Sequence, residues 1–282
     1  MGLSFYESSP EARAVFDAAA AIAPDGFLDT IFKGEAEAVN DTRIAQPGLL
    51  TVSVAITRHL DSIGLSPTTC AGHSLGEISA LVAAKVCDFE SALHFTLERA
   101  RLMSEDVPPG GMAAVMNFPP DEIDACLEEQ VWVANYNSPQ QTIISGELEA
   151  LNASMERLKA AGAKRVMPLK VSGPFHSGFM KPAAETFAKV LADVPFAPPS
   201  CTFVSSVTGQ VESDPERIRA LLAEQLYSPI RWTDVMTTIG PDEALEVGPG
   251  AVLKGLARRT ENAPQVRCVN TFDEAQALTE HH

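Results

Sequence analysis

A glycine-flanked serine constrains the fold of this chain more than any other stretch. The pattern G-x-S-x-G occurs at residues 72–76 as GHSLG, and in such a pattern the serine occupies a sharp turn between a strand and a helix. The two glycines let backbone segments pass closely while the turn residue is held in a strained conformation. Residues 67–71 can form a short buried strand, and apolar residues recur at helical spacing over 75–84. We therefore expect Ser74 at a helix N-terminus, where free N–H groups and the helix dipole favour developing negative charge.

Helix and strand patterns alternate along most of the chain. Ser9 before Pro10 is typical of a helix N-cap, and a strongly apolar helix is predicted to start at Pro47 and to lead to the strand before Ser74. Another helix is predicted over 88–103, and strands are predicted at 201–205, 244–247 and 266–269. Alternation of this kind implies a mainly parallel sheet covered by helices.

The segment from 111 to 171 has a different order of predicted strands and helices. Strands are predicted at 112–118, 131–136, 142–146 and 164–171, with helices over 120–129 and 147–161. The resulting order, βαββαβ, is that of a ferredoxin-like unit. We therefore predict an α/β protein in which residues 1–110 and 172–280 form a large domain, with a small ferredoxin-like domain, residues 111–171, inserted into it.

Charge and composition exclude several classes of function. A formal net charge of −16 argues against nucleic acid or an anionic membrane as the main partner. No apolar run reaches membrane-spanning length, and the N-terminus lacks the basic-then-apolar pattern of a secretion signal. The five cysteines are scattered without a C-x-x-C pair, which argues against a metal site or a disulfide framework and suits a reducing cytoplasm. His281 and His282 resemble the remnant of an affinity tag and are excluded from the search for a site.

The other four histidines are candidates for the base that a nucleophilic serine needs within hydrogen-bond reach. His59 and His94 fall inside predicted helices, where a packed or surface histidine is the simpler interpretation. His73 directly precedes Ser74, so its side chain should point away from the serine, and we interpret it as structural. His176 lies in the run VSGPFHS, where a Gly-Pro turn would place its imidazole over a cleft between the two domains.

Several further runs accompany the serine motif. They are AGHSLGE at 71–77, RARLM at 99–103, NYNSP at 135–139, VSGPFHS at 171–177 and EVGPG at 246–250. Together they resemble the malonyl-CoA:acyl carrier protein transacylase family, in register from Met1 to about Arg259. The resemblance implies an α/β-hydrolase-like large domain with a ferredoxin-like small domain. It also implies transfer of a malonyl group from malonyl-CoA to the phosphopantetheine thiol of acyl carrier protein, with no cofactor bound to the chain itself.

The resemblance assigns roles to four residues around the reacting atoms. Ser74 resembles the family's acyl-accepting nucleophile, and His176 resembles its general base. Gln225 matches a position whose backbone carbonyl orients the histidine, in place of the acid of a Ser-His-Asp triad. The backbone N–H of Leu75 would face the oxyanion at the helix N-terminus.

Further positions match the family's substrate cleft. Arg99 falls where the family holds the free carboxylate of malonyl, which a guanidinium fork binds bidentately. Its neighbour Arg101 is the alternative, and the helix phase favours Arg99. A bulky ring at Phe175, beside the base, leaves little room for an α-methyl branch. Three polar positions either line the cleft or cap helices and turns, namely Gln46, Asn135 and Asn137.

One departure from the family pattern concerns the start of the chain. Met1-Gly2 aligns just after a Gly-Gln-Gly-Ser-Gln loop whose backbone N–H supplies half of the oxyanion hole. From the sequence we therefore expect the first strand and one oxyanion donor to be missing, and turnover to be slow.

Two alternatives to this function remain open. A thioesterase or carboxylesterase could use the same serine, and it would prefer water to a thiol as acceptor. A truncated, catalytically poor chain would not be acylated at Ser74.

The pathway that the enzyme serves, fatty-acid or polyketide synthesis, is also open. Two basic clusters are candidates for docking the carrier protein: Lys254, Arg258 and Arg259, or Lys159, Lys164 and Arg165.

Overall fold

The computed structural model of the chain describes residues 1–105 and 107–279, so the suggested tag residues His281 and His282 lie outside the described residues. The α-helices of the described part are α1 (Leu3–Ser8), α2 (Pro10–Ile22), α3 (Phe27–Lys33), α4 (Ala36–Asn40), α5 (Thr42–Ser62), α6 (Leu75–Ala83), α7 (Phe89–Leu102), α8 (Leu148–Ala160), α9 (Lys181–Ala192), α10 (Pro215–Glu224), α11 (Trp232–Ile239), α12 (Val252–Ala257) and α13 (Phe272–Thr279). The strands are β1 (Thr69–Ala71), β2 (Gly110–Met116), β3 (Val131–Ser138), β4 (Gln141–Glu147), β5 (Arg165–Pro168), β6 (Thr202–Val204), β7 (Glu243–Val247) and β8 (Gln265–Val269). None of these helices combines the length and the apolar character that crossing a membrane requires.

The strands form parallel and antiparallel sheets. β1 pairs in parallel with β6, and β7 pairs in parallel with β8. The strands between residues 110 and 168 form one antiparallel sheet with the order β3-β4-β2-β5. The protein is therefore α/β with mixed pairing. The mainly parallel sheet that we expected appears, within the described residues, as two separate pairs of strands.

The two largest apolar clusters of the described residues pack the helices together and against the antiparallel sheet. Helices α2, α5, α7 and α9 bury the larger one, with fully buried Phe16 and Phe95. The second lies between α8 and one face of the antiparallel sheet, around Ile144 and Leu158. Phe175 is half-buried and packs against both the larger core and the apolar residues on the other face of that sheet. Phe175 therefore lies where the helices of the larger core meet the antiparallel sheet.

Strand β3 connects the antiparallel sheet to the rest of the protein. Ile230 donates its N–H to the Ala134 carbonyl, and Tyr136 donates its N–H to the Ile230 carbonyl, both at 2.8 Å. The Thr233 hydroxyl donates to the Tyr136 carbonyl at 3.1 Å. These bonds satisfy backbone groups of an edge strand and position β3 beside α11.

The start of helix α5 differs from the prediction. The Asp41 carboxylate accepts a hydrogen bond from the Arg43 N–H at 2.9 Å, so the helix begins at Thr42 and Pro47 lies inside it. The N-cap, rather than the proline, decides where this helix begins. As a result Gln46 lies on a helix and is buried beside α7.

The predicted helix over 120–129 is wrong. Two short 3-10 turns, Pro120–Glu122 and Asp124–Cys126, replace it, and Leu127 has extended backbone. The N–H of Glu128 donates to the Ser154 hydroxyl on α8 at 2.8 Å, so it is not available for a helical bond. Contact with α8 therefore overrides the local helical pattern.

Candidate active site

The backbone around Ser74 has the geometry that the motif predicts. Ser74 follows β1 and precedes α6, with φ 51° and ψ −112°, a conformation that non-glycine residues rarely adopt. A Cβ atom on Gly72 would lie 2.0 Å from the carbonyl carbon and oxygen of Gly76, so only glycine fits there. Leu75 is the first residue of α6, and N–H groups in a first helical turn have no partner inside the helix. The predicted strand–turn–helix unit is confirmed.

His176 makes the contact that a base for Ser74 requires. Its Nε2 lies 2.9 Å from Ser74 Oγ, and its Nδ1 lies 2.8 Å from the backbone carbonyl oxygen of Gln225. A carbonyl only accepts hydrogen bonds, so Nδ1 carries the proton and Nε2 has a lone pair for the serine hydroxyl. The predicted contact of the Gln225 carbonyl with His176 is thus present in the structure.

The surroundings of His176 keep its imidazole neutral. Burial lowers the pKa of His176 to about 3, and the positive charge of Arg99 acts in the same direction. The hydrogen bond to the Gln225 carbonyl opposes this shift. At neutral pH the ring is therefore ready to accept a proton.

Arg99 is a buried cation beside the serine. Its side chain is 1% exposed, and it donates to Gln46 Oε1 at 2.5 Å, to Gln225 Oε1 at 3.0 Å and to Ser74 Oγ at 3.3 Å. Burial lowers the pKa of Arg99 to about 10, so it stays charged at neutral pH. All of these acceptors are neutral, and no carboxylate of the described residues forms an ion pair with Arg99. Buried charges are normally paired, so this guanidinium has room for an anion.

The Arg101 side chain, unlike that of Arg99, lies on the exposed face of α7. It forms ion pairs with Glu98 at 2.6 Å and with Glu105 at 2.5 Å, and 45% of its side chain is exposed. The helix-phase argument that preferred Arg99 to Arg101 therefore agrees with the structure.

The two predicted asparagines are in the same region but do not contact the serine. Asn137 Oδ1 accepts a hydrogen bond from His73 Nε2 at 2.8 Å, and the Asn137 NH₂ group donates to Gln141 Oε1 at 3.0 Å. Asn135 is buried at an irregular position of β3, where it bridges to Ile230. Among the described residues neither side chain hydrogen-bonds to Ser74, His176 or Arg99. His73 is held by Asn137 and by the edge of the Trp232 ring, so its interpretation as structural agrees with the structure.

Sequence reasoning missed a buried layer behind the serine. The Gln225 side chain donates to the Ser74 carbonyl at 3.1 Å, to Ser206 Oγ at 3.2 Å and to the Glu77 carboxyl. Ser206 also donates to Glu77, through its hydroxyl and its N–H. Glu77 is 2% exposed, and burial raises its pKa. One clue was available: Ser74 and Glu77 are three residues apart at a helix start and share a face.

Metal ligands do not cluster in this region. Within residues 1–105 and 107–279, no group of three or more histidine, cysteine, aspartate or glutamate side chains could hold a metal ion.

Proteins of known sequence resemble this chain over most of its length. Residues 1–276 match the family described as "Acyl transferase domain". The malonyl CoA-acyl carrier protein transacylase of Bacillus subtilis (strain 168) is 39% identical over 270 residues, which cover 92% of this chain and 85% of that protein. The protein of the same name from Escherichia coli (strain K12) is 42% identical over 238 residues, which cover 80% and 77%.

Solved structures agree with this similarity. An acyl carrier protein S-malonyltransferase from Vibrio cholerae O1 biovar eltor has a TM-score of 0.93 and 36% identity, covering 99% of this chain and 94% of that one. A malonyl-transacylase solved in complex with its type II PKS acyl-carrier protein has a TM-score of 0.94 and 38% identity, covering 100% and 95%.

Proposed function

The chain belongs to the acyl transferase family, as a malonyl-CoA:acyl carrier protein transacylase, and we propose that Ser74 carries the malonyl group as an ester between the two substrates. The enzyme transfers the malonyl group from malonyl-CoA to acyl carrier protein, as its relatives' names state for them. The observation that carries the proposal is the buried, unpaired Arg99 guanidinium 3.3 Å from Ser74 Oγ. It calls for an acyl group with a carboxylate close to the reacting carbonyl, which malonyl has and acetyl lacks.

The first half of the reaction acylates the serine. His176 Nε2 takes the hydroxyl proton as Ser74 Oγ attacks the thioester carbonyl. The Leu75 N–H and the N-terminus of α6 stabilise the oxyanion that forms. Collapse of the tetrahedral intermediate breaks the C–S bond, and the coenzyme A thiolate leaves with the proton from His176. The Gln225 carbonyl stabilises the imidazolium while it exists.

The second half reverses these steps on a different thiol. The phosphopantetheine thiol, carried by the partner protein, gives its proton to His176 and attacks the serine ester. The C–O bond breaks, and Ser74 recovers the proton from His176. Arg99 holds the malonyl carboxylate bidentately through both halves, with Gln46 and Gln225 as its neighbours. Phe175, next to the base, restricts the space beside the reacting carbonyl.

Intact-mass spectrometry tests the proposal directly. The chain mixed with malonyl-CoA should gain one malonyl group, and holo acyl carrier protein added afterwards should remove it and gain the same mass. Loss of the label to water at the same rate without carrier protein would instead indicate a thioesterase. Absence of any label would contradict the proposal.

The low pKa of His176 predicts the pH dependence of acylation. The base must be neutral to accept a proton, and burial lowers its pKa from the usual 6.5 to about 3. Because kcat/KM reports ionisations of the free enzyme, it should stay level as the pH falls from about 8 to about 5. Initial rates with malonyl-CoA at constant ionic strength would measure this, and a half-maximal value near pH 6.5 would contradict it.

We also propose the domain division predicted from the sequence, with residues 111–171 as a small ferredoxin-like domain inserted between 1–110 and 172–280. The strand order β3-β4-β2-β5, with α8 on one face, supports it. The helix between the first two strands is replaced by 3-10 turns, which is a departure from the ideal unit.

For the carrier protein we propose a docking surface formed by Lys254, Arg258 and Arg259. Both arginines are exposed, and Lys254 and Arg258 line an open groove of about 480 Å³. No ion pair of the described residues involves them, whereas Lys159 of the alternative cluster pairs with Glu156. The whole chain is acidic, so attraction to an acidic partner requires a local basic surface.

Charge reversal at this surface should weaken carrier-protein binding. The double variant Arg258→Glu and Arg259→Glu is expected to raise the KM for carrier protein about tenfold or more, with the malonyl label unchanged. Lys159→Glu with Lys164→Glu makes the same charge change on the other cluster and is the control. An effect confined to the control variant would move the docking surface to that cluster.

A further inference from the structure

Glu77 is a buried acid that the chemical steps do not use. It lies one helical turn after Ser74, and among the described residues its carboxyl group accepts from the Ser206 hydroxyl, from the Ser206 N–H at 3.3 Å and from the Gln225 side-chain amide, with the Ser205 hydroxyl also beside it. A carboxyl group that only accepts hydrogen bonds does not need a proton of its own. It also lies close enough to Arg99 to favour the charged guanidinium.

The Gln225 amide can satisfy its neighbours in only one orientation. Its NH₂ group faces three acceptors, namely the Ser74 carbonyl, Ser206 Oγ and Glu77. Its Oε1 faces the Arg99 guanidinium at 3.0 Å. A rotation of the amide by half a turn would set NH₂ against the guanidinium and oxygen against the carboxylate, which leaves both without partners.

The backbone of Gln225 is positioned independently of its side chain. Its N–H donates to the Leu221 carbonyl at 2.8 Å, at the end of α10, and its carbonyl accepts from His176. The side chain and the backbone of this one residue therefore serve Arg99 and His176 separately.

We propose that Glu77 is a positioning residue for malonyl selectivity: its carboxylate orients the Gln225 amide, and that amide positions the Arg99 guanidinium for the acyl carboxylate. The proposal rests on the proposed function, because it assumes that Arg99 binds the malonyl carboxylate. Glu77 touches neither the substrate nor the reacting atoms. It acts on the position of the Arg99 guanidinium through Gln225.

The variant Glu77→Gln tests this inference. A glutamine amide at this position sets its NH₂ group against either the Ser206 N–H or the Gln225 NH₂, and both of these donors need an acceptor. The layer around Gln225 is therefore expected to rearrange, so that the Gln225 amide turns and releases Arg99. The kcat/KM for malonyl-CoA should fall about 10–100-fold, the range for a lost hydrogen bond to a charged group. The kcat/KM for acetyl-CoA should change less than about threefold, because acetyl makes no contact with Arg99 and the His176 contact is retained.

A double-mutant cycle separates positioning from general stability. Gln225→Ala keeps the backbone carbonyl and should reproduce the loss of malonyl preference with Glu77 intact. When Gln225 is already alanine, adding Glu77→Gln should not lower the preference for malonyl-CoA over acetyl-CoA any further. Glu105→Gln, which removes an exposed carboxylate just after α7, is the control and should leave the preference unchanged. Melting temperatures of all variants show whether each one is folded.

Three results would overturn the inference. Equal losses for malonyl-CoA and acetyl-CoA in Glu77→Gln would make Glu77 merely structural. An unchanged malonyl preference in Gln225→Ala would overturn it even if Glu77→Gln failed to fold. A further loss on adding Glu77→Gln to Gln225→Ala would show that Glu77 does not act through Gln225. Measurement of the wild type separates a failure of this inference from a failure of the proposed function. The proposed function fails if the wild type itself shows no preference for malonyl-CoA over acetyl-CoA.

Discussion

Replacement of Ser74 by alanine is expected to abolish the malonyl label and to lower turnover by about 10⁴–10⁶-fold, as removal of a nucleophile does in other serine enzymes. The reason is that Ser74 Oγ combines the strained turn, the helix N-terminus and the 2.9 Å contact with a neutral base. Intact-mass spectrometry after mixing with malonyl-CoA measures the label, and thiol release measures turnover.

Ser172→Ala is the matched control for this variant. Ser172 is exposed and lies in the same run as His176, so its loss should leave both label and turnover unchanged. Persistent labelling of Ser74→Ala would reject Ser74 as the nucleophile. His176→Ala should retain coenzyme A binding but acylate slowly, since the base acts on a proton and not on the nucleotide.

The second large effect is expected at Arg99. Arg99→Ala should lower kcat/KM for malonyl-CoA by about 10²–10⁴-fold, the cost of leaving a buried charge without its partner. Acetyl-CoA has no carboxylate to pair, so its transfer should change far less. The ratio of the two kcat/KM values is the measurement.

Two variants sharpen this test. Arg101→Ala removes the same side chain from the exposed face of α7 and should leave the ratio unchanged. Arg99→Lys keeps the charge but loses the planar fork, so it should recover only part of the malonyl preference. If malonyl and acetyl transfer fall equally in Arg99→Ala, the arginine has a structural role and the malonyl assignment loses its main support.

Arg99 also links substrate binding to the strength of the base. Its positive charge lowers the pKa of His176, and a malonyl carboxylate bound to Arg99 would offset that charge. From the proposed role of Arg99 we expect His176 to be a stronger base in the complex with malonyl than in the complex with an uncharged acyl group. Recognition of the carboxylate and activation of the serine are then coupled through one electrostatic contact.

The parts of the site that are determined by residues adjacent in the sequence could be predicted from the sequence. The GHSLG run determined the turn at Ser74, because a Cβ atom on residue 72 would lie 2.0 Å from the Gly76 carbonyl and only glycine fits there. The family position, the spacing from Ser74 and the helix phase together favoured Arg99 over Arg101, since residues two apart on a helix lie on different faces. The resemblance then supplied His176 and the Gln225 carbonyl, which lie far from Ser74 in the chain.

Only the tertiary structure decided the rest. The layer of Glu77, Ser206 and the Gln225 side chain joins three separate segments, and no local pattern states which buried donors will meet which acceptors. The same is true of Asn137, whose side-chain oxygen accepts from His73. It is also true of residues 120–129, where a hydrogen bond from Glu128 to Ser154 replaces a helical one. The spacing of apolar residues along a helix or strand reflects the free-energy cost of exposing apolar surface on that one element. The partner of each buried polar group is set by packing between elements, because an unsatisfied group inside the protein costs more than the local preference it overrides.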